Sequence, residues 1–107
     1  MDLGKQKLGL MLSTSPDHPS FRTATELSRT ALGRGGDVYL YLIDEGVYAK
    51  DRPEIRELAG RGAKLFVCAY GCQKRGLPLS DPESLTYSGL VVLTDLINGC
   101  DRFLALN

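Results

Sequence analysis

Neither sign of charge prevails in this chain of 107 residues, in which thirteen basic and thirteen acidic side chains cancel. A balanced surface offers no electrostatic footprint for nucleic acid and no polybasic face for an anionic membrane. No apolar run approaches the roughly 20 residues that a membrane span needs. The chain passes into its first strand without a signal-like charged region and cleavage site, so the expected location is the cytoplasm. Cysteine is scarce and odd in number, three in all, which speaks against a disulfide framework and for reduced thiols. Histidine is scarcer, with His18 alone. The glycine-rich pattern of the common nucleotide loops is absent too, and the twelve glycines punctuate turns.

What is present alternates strand with helix. With 43% hydrophobic residues, a chain of this length builds one core and one domain, residues 1–107. Lys7 to Ser13 is an apolar run too short for a helix, as in a strand buried on both faces. Thr14 to Ser20 is a loop with two prolines, after which Phe21, Ala24, Leu27 and Ala31 predict a helix with Ser20 as its N-cap. Asp37 to Ile43 is a second strand closed by Asp44-Glu45-Gly46. A short helix follows, starting at Pro53 and carrying Ile55, Leu58 and Ala59 inward. Lys64 to Val67 is a third strand, and Gly76 to Glu83 is a loop. Leu90, Leu93 and Ile97 share a helical face that ends at Asn98-Gly99, and Arg102 to Leu106 is a last strand. This pattern predicts an α/β protein: a three-layer α/β/α sandwich with a mostly parallel, flavodoxin-like sheet. A 2-1-3-4 strand order would open a crevice between the first and third strands and bring Cys68 near Ser13, Thr14, Ser15 and His18.

Candidate chemistry centres on Leu65 to Gly76, where a buried-looking strand meets Cys68 and then a short basic turn. A thiol at a strand end and helix start sees unpaired N–H groups and the charges of Lys74 and Arg75, which favour thiolate over thiol. Cys68 therefore carries two readings, a reactive nucleophile and an inert buried residue. Cys72 lies four residues on, where Cβ atoms sit about 5–6 Å apart on a helix, wider than the roughly 3.5–4.5 Å of a disulfide. Cys72 and Cys100 read as buried small hydrophobes. Cys100 precedes the last strand and belongs at the opposite edge of the sheet, so the three thiols cannot form one metal site in one subunit. No cofactor or metal is assigned; a site shared between subunits through Cys68, Cys72 and His18 is a variant. His18 reads as a solvated loop residue or as a base titrating near neutrality. Asp44-Glu45 reads as a solvated turn with some capacity for acid–base work or cation binding, and Ser13-Thr14-Ser15 as a weak phosphate holder.

Five stretches, taken together, resemble the DsrE/DsrF-like sulfur-relay family, the group that includes DsrE and TusD proteins. They are the opening strand Leu8-Gly9-Leu10-Met11-Leu12-Ser13, Glu45-Gly46-Val47-Tyr48, Cys68 with Arg75-Gly76, Ser88-Gly89-Leu90, and Cys100-Asp101-Arg102. The resemblance implies a homotrimer or a hexamer of two trimers, with a persulfide-carrying cysteine at Cys68. It also implies partners similar to TusA-like or DsrC/TusE-like sulfur carriers. Cys72 is no part of that pattern and reads as a possible second thiol that resolves a persulfide, or as filler. Two functions follow as expectations: a cytoplasmic persulfide carrier, or a non-catalytic oligomeric binding module that keeps the fold.

Overall fold

Five parallel strands form one sheet in the computed structural model of the chain, which describes residues 5–80 and 83–107. They are β1 (Lys7–Leu12), β2 (Asp37–Leu42), β3 (Lys64–Cys68), β4 (Leu85–Ser88) and β5 (Arg102–Leu106). Helices α1 (Pro19–Gly33), α2 (Pro53–Gly60), α3 (Ala69–Lys74) and α4 (Leu90–Gly99) connect them, with a 3-10 helix at Asp44–Ala49 after β2. Of the loop expected between Gly76 and Glu83, Asp81 and Pro82 lie outside the described residues.

The strand order is β4-β3-β2-β1-β5, which corrects the expected 2-1-3-4. Each of β2, β3 and β4 is laid beside its predecessor, and only β5 returns to the far edge of β1. Because parallel crossovers are right-handed, α1 and α2 fall on one face of the sheet and α4 on the other. The strand absent from the sequence reading is β4, whose four residues Leu-Thr-Tyr-Ser are too few to display a period.

Alternation along the strands then decides what each face holds. Leu10, Leu12, Val38, Leu40, Leu42, Leu65 and Val67 point to α1 and α2, all at 2% exposure or less. Phe21, Ala24 and Ala31 of α1 and Ile55 and Leu58 of α2 cover them. The start of α1 also differs from expectation: its N-cap is His18, whose Nδ1 accepts the Ser20 N–H at 3.1 Å. Pro19 takes the first helical position, where a missing N–H costs nothing, and so moves the cap back from Ser20. A glycine is required at Gly46, where an added Cβ would lie 2.1 Å from the Leu12 carbonyl oxygen. The 3-10 helix can thus press against the carboxyl end of β1.

Candidate functional site

Cys68 is the last residue of β3 and the N-cap of α3, the strand-to-helix junction that the sequence predicts there. Its Sγ accepts the Gly71 N–H at 3.3 Å, and the residue as a whole is buried, at 6% exposure. Gly71 is kept small by its surroundings, since a Cβ there would meet Val47 Cγ1 at 3.2 Å and Cys68 Sγ at 3.6 Å.

Cys68 lines a cavity of about 340 Å³ at the carboxyl end of the sheet, roofed by three elements. The 3-10 helix and its preceding residue bring Asp44 and Ile43; α3 brings Tyr70, Gly71, Lys74 and, just beyond it, Arg75; the start of α4 brings Gly89 and Leu90. Lys74 and Arg75 share this cavity with Cys68, as the sequence predicts. Their charges are not equivalent, however. Arg75 Nε pairs with Glu45 at 2.7 Å and its Nη1 donates to the Gly71 carbonyl at 3.3 Å, so its charge is largely neutralised. The guanidinium is held above its ordinary value by that Glu45 contact. Lys74 makes no side-chain hydrogen bond or ion pair among the described residues and is the cavity's available cation.

Ser13, Thr14 and His18 are not at this cavity, which corrects the expected crevice. β2 lies between β1 and β3, a displacement of two strand spacings, roughly 10 Å. They gather instead where β1 meets β5, the point at which the strand order reverses. There Ser13 Oγ donates to Asn107 Oδ1 at 2.7 Å and Ser20 Oγ to the Asn107 carbonyl at 3.2 Å. His18 is committed to capping α1, with Nδ1 as an acceptor. The Thr14 hydroxyl is buried without a hydrogen-bond partner among the described residues.

Cys72 lies on α3 and is fully buried. Burial pushes its thiol above the ordinary value, Lys50 opposes this, and Cys68 adds to it. A thiol at 0% exposure cannot reach a ligand on another subunit, so the shared-metal variant is withdrawn. Cys100 sits at the amino-terminal edge, its Sγ 2.9 Å from where a Cβ on Gly9 would stand. Burial raises its thiol as well, with Lys7 opposing.

Two side chains of this region escaped the sequence reading. Tyr41, fully buried on β2, stacks on Phe66 at 6.4 Å and donates its hydroxyl to the Gly89 carbonyl at 2.9 Å. Burial, with Cys68 contributing, holds its phenol above the ordinary value. Lys50 is the other, at 1% exposure, with Nζ 3.0 Å from Asp51 Oδ2, 3.1 Å from Ser80 Oγ and 5.8 Å from the Tyr87 ring centre. Desolvation pulls Lys50 down, but Asp51 and Tyr87 more than offset it, and the ammonium is held above its ordinary value. Only the position of Tyr41 near a strand end hinted at the site; nothing in the sequence marked Lys50 as buried.

A parallel five-stranded α/β sheet with a cysteine at a strand-end cavity defines the class: a flavodoxin-like α/β protein with a thiol site. Comparison with known proteins narrows it. The model of the DsrE/DsrF-like family matches residues 6–106, so the chain belongs to that family, one of sulfur-relay type. Among solved structures, the YchN protein from E. coli, a DsrE-like protein, superposes with a TM-score of 0.66 at 14% identity, covering 94% of this chain and 98% of that one. At that identity the likeness speaks for the fold. No curated protein matches the sequence. No helix among the described residues is long and apolar enough to cross a membrane.

Proposed function

We propose that this protein is a sulfur-relay carrier that holds sulfane sulfur as a persulfide on Cys68. The observation that carries the reading is the placement of Cys68: it lines a cavity, its sulfur accepts the Gly71 N–H, and the same cavity is lined by Lys74, whose ammonium has no partner among the described residues. Thiol exchange at sulfur needs a nucleophile with access more than it needs a general base. No base is required of His18, which is occupied as a helix cap. Cys72, walled into the core, has no part in exchange.

The protein would work in the cytoplasm as a homotrimer or a hexamer of two trimers, delivering sulfur to a TusA-like or DsrC/TusE-like carrier. Support for association comes from α4, where Leu90, Val91 and Ile97 are 60%, 76% and 47% exposed. Apolar patches of this kind commonly mark interaction surfaces. A monomer by light scattering would remove this part of the reading.

A second reading draws on the same surface and on the low exposure of Cys68: a non-catalytic oligomeric module that holds a partner or small anion. Sulfur loading separates the two. Cys68→Ser should abolish uptake from a persulfide donor and Cys100→Ser should leave it intact; the reverse pattern overturns the assignment of Cys68.

A further inference from the structure

The cavity beside Cys68 is lined by two charged side chains of opposite sign that have no direct partner among the described residues, although the Asp44 carboxylate also acts at longer range on Arg75. Asp44 and Lys74 both line it, and among the described residues neither forms a side-chain hydrogen bond or ion pair, while their neighbours Glu45 and Arg75 satisfy one another. The two come from different elements, Asp44 opening the 3-10 helix and Lys74 closing α3. Asp44 holds a left-handed backbone with φ of 52°. Such a conformation in a non-glycine residue costs energy and concentrates at functional positions. The lining also includes the apolar residues Ile43 and Leu90 and the aromatic Tyr70. At about 340 Å³ the cavity stands near the lower end of the roughly 300–1,000 Å³ typical of ligand pockets. That volume suits an amino-acid-sized molecule, and the wall suits one with a short apolar arm.

We infer that the cavity takes a zwitterionic amino-acid persulfide, with its ammonium on Asp44, its carboxylate on Lys74 and its outer sulfur against Cys68. This rests on the persulfide reading of Cys68 and names the donor class for it. The Cys68 thiolate attacks the outer sulfur of the donor R–S–SH. A new S–S bond forms at Cys68 as the donor S–S bond breaks, and the electron pair leaves on R–S⁻. The outer sulfur keeps its proton, giving Cys68–S–SH. Cys68 is oxidised to the persulfide level and the donor is reduced to a thiolate, so no further redox partner enters. The released amino-acid thiolate vacates the cavity and leaves the bound sulfur open to an acceptor thiol.

The test is the rate of sulfur loading on Cys68, followed by mass spectrometry, from four donors. These are cysteine hydropersulfide, its analogue without the amino group, its analogue without the carboxyl group, and inorganic hydrogen disulfide. Each ionic contact at an accessible site corresponds to a rate preference of about 1.4- to five-fold. Cysteine hydropersulfide should therefore load faster than either truncated analogue by that factor. Asp44→Asn should erase the preference for the amino group alone, and Lys74→Met the preference for the carboxyl group alone. Asparagine tolerates the left-handed backbone at this position, so the substitution tests charge without disturbing the turn. Equal rates from the three organic donors, or preferences that survive both substitutions, overturn the inference and leave the relay reading standing. Failure of every donor, the inorganic one included, overturns both.

Discussion

On the α1–α2 side of the sheet, Leu10, Leu40 and Leu42 are sealed at 0% exposure beneath Ile55 and Leu58, whereas α4 on the other side buries only Leu96 and leaves Val91 76% exposed. One face is finished within the chain; the other covers Tyr41 but leaves apolar side chains of α4 itself exposed. The reactive candidate follows the same division. Cys72 belongs to the sealed core, and Cys68, four residues earlier, borders a cavity roofed partly by the start of α4. Stability is thus concentrated where α1 and α2 pack, and access where α4 and the end of β3 meet.

The largest effect should come from opening the sealed face. Leu40→Ala is expected to cost about 2–5 kcal/mol, the range for truncating a fully buried leucine, read as a lower urea midpoint. Val91→Ser on α4 should stay within about 0.5 kcal/mol of the parent. Similar losses from the two would break the comparison.

Next in size is Gly46→Ala, which forces a methyl group toward the Leu12 carbonyl. Overpacking of this kind costs about 1–3 kcal/mol, and because the obstacle is backbone the upper end is expected. Gly89→Ala, where nothing lies within 4 Å of the added Cβ, is the control and should have little effect.

A smaller, pH-dependent effect sharpens the same contrast. Burial raises the thiols of Cys72 and Cys100 and the phenol of Tyr41 above their unfolded values. A raised group binds its proton more tightly when folded, so its stabilisation is fully present below the unfolded value and is lost as pH rises through the folded one. For Cys72 the loss begins near the ordinary thiol value of 9.0. Lys50, raised by Asp51 and Tyr87 against desolvation, acts in the same direction from 10.5 upward. Urea midpoints measured under reductant should therefore fall from neutral to alkaline pH, and less steeply in Cys72→Ala. A midpoint that rises with pH over this range would contradict the burial of these groups.

The last change acts on assembly. Val91→Asp places a charge on the open face, and light scattering should report a smaller particle, with the urea midpoint lowered by no more than the stabilisation that association supplies. A particle of unchanged mass would mean that α4 does not carry the association.

Much of the fold was legible because local pattern suffices for it. The apolar runs of β1, β2 and β3, the period of α1 and α2, and proline at the start of α2 all act within a few residues of themselves. Strand order is not such a property. Whether β2 sits between β1 and β3 depends on pairings across the chain, and a 2-1-3-4 expectation placed Ser13, Thr14 and His18 beside Cys68 when β2 separates them. β4 was invisible for want of length. At the site, the junction at Cys68 and the presence of Lys74 and Arg75 were readable from contiguous residues. The pairing of Arg75 with Glu45, thirty residues away, was not, nor was the arrival of Tyr41 from β2 and of Gly89 from the start of α4. Cys68 and Cys72 look alike in sequence and differ in accessibility, because one ends a strand and the other turns into the core.

The most direct test of the central claim is intact-mass spectrometry of the native protein before and after exposure to a low-molecular-weight persulfide, with peptide mapping of any added sulfur. A gain of one sulfur atom on Cys68, removable by reductant, is expected, as for a persulfide cap, with Cys72 unmodified until the protein is unfolded. No gain on Cys68, in a protein whose thiols all react once unfolded, would contradict that claim and leave the open face, with a structural cysteine beneath it, as the feature to be explained.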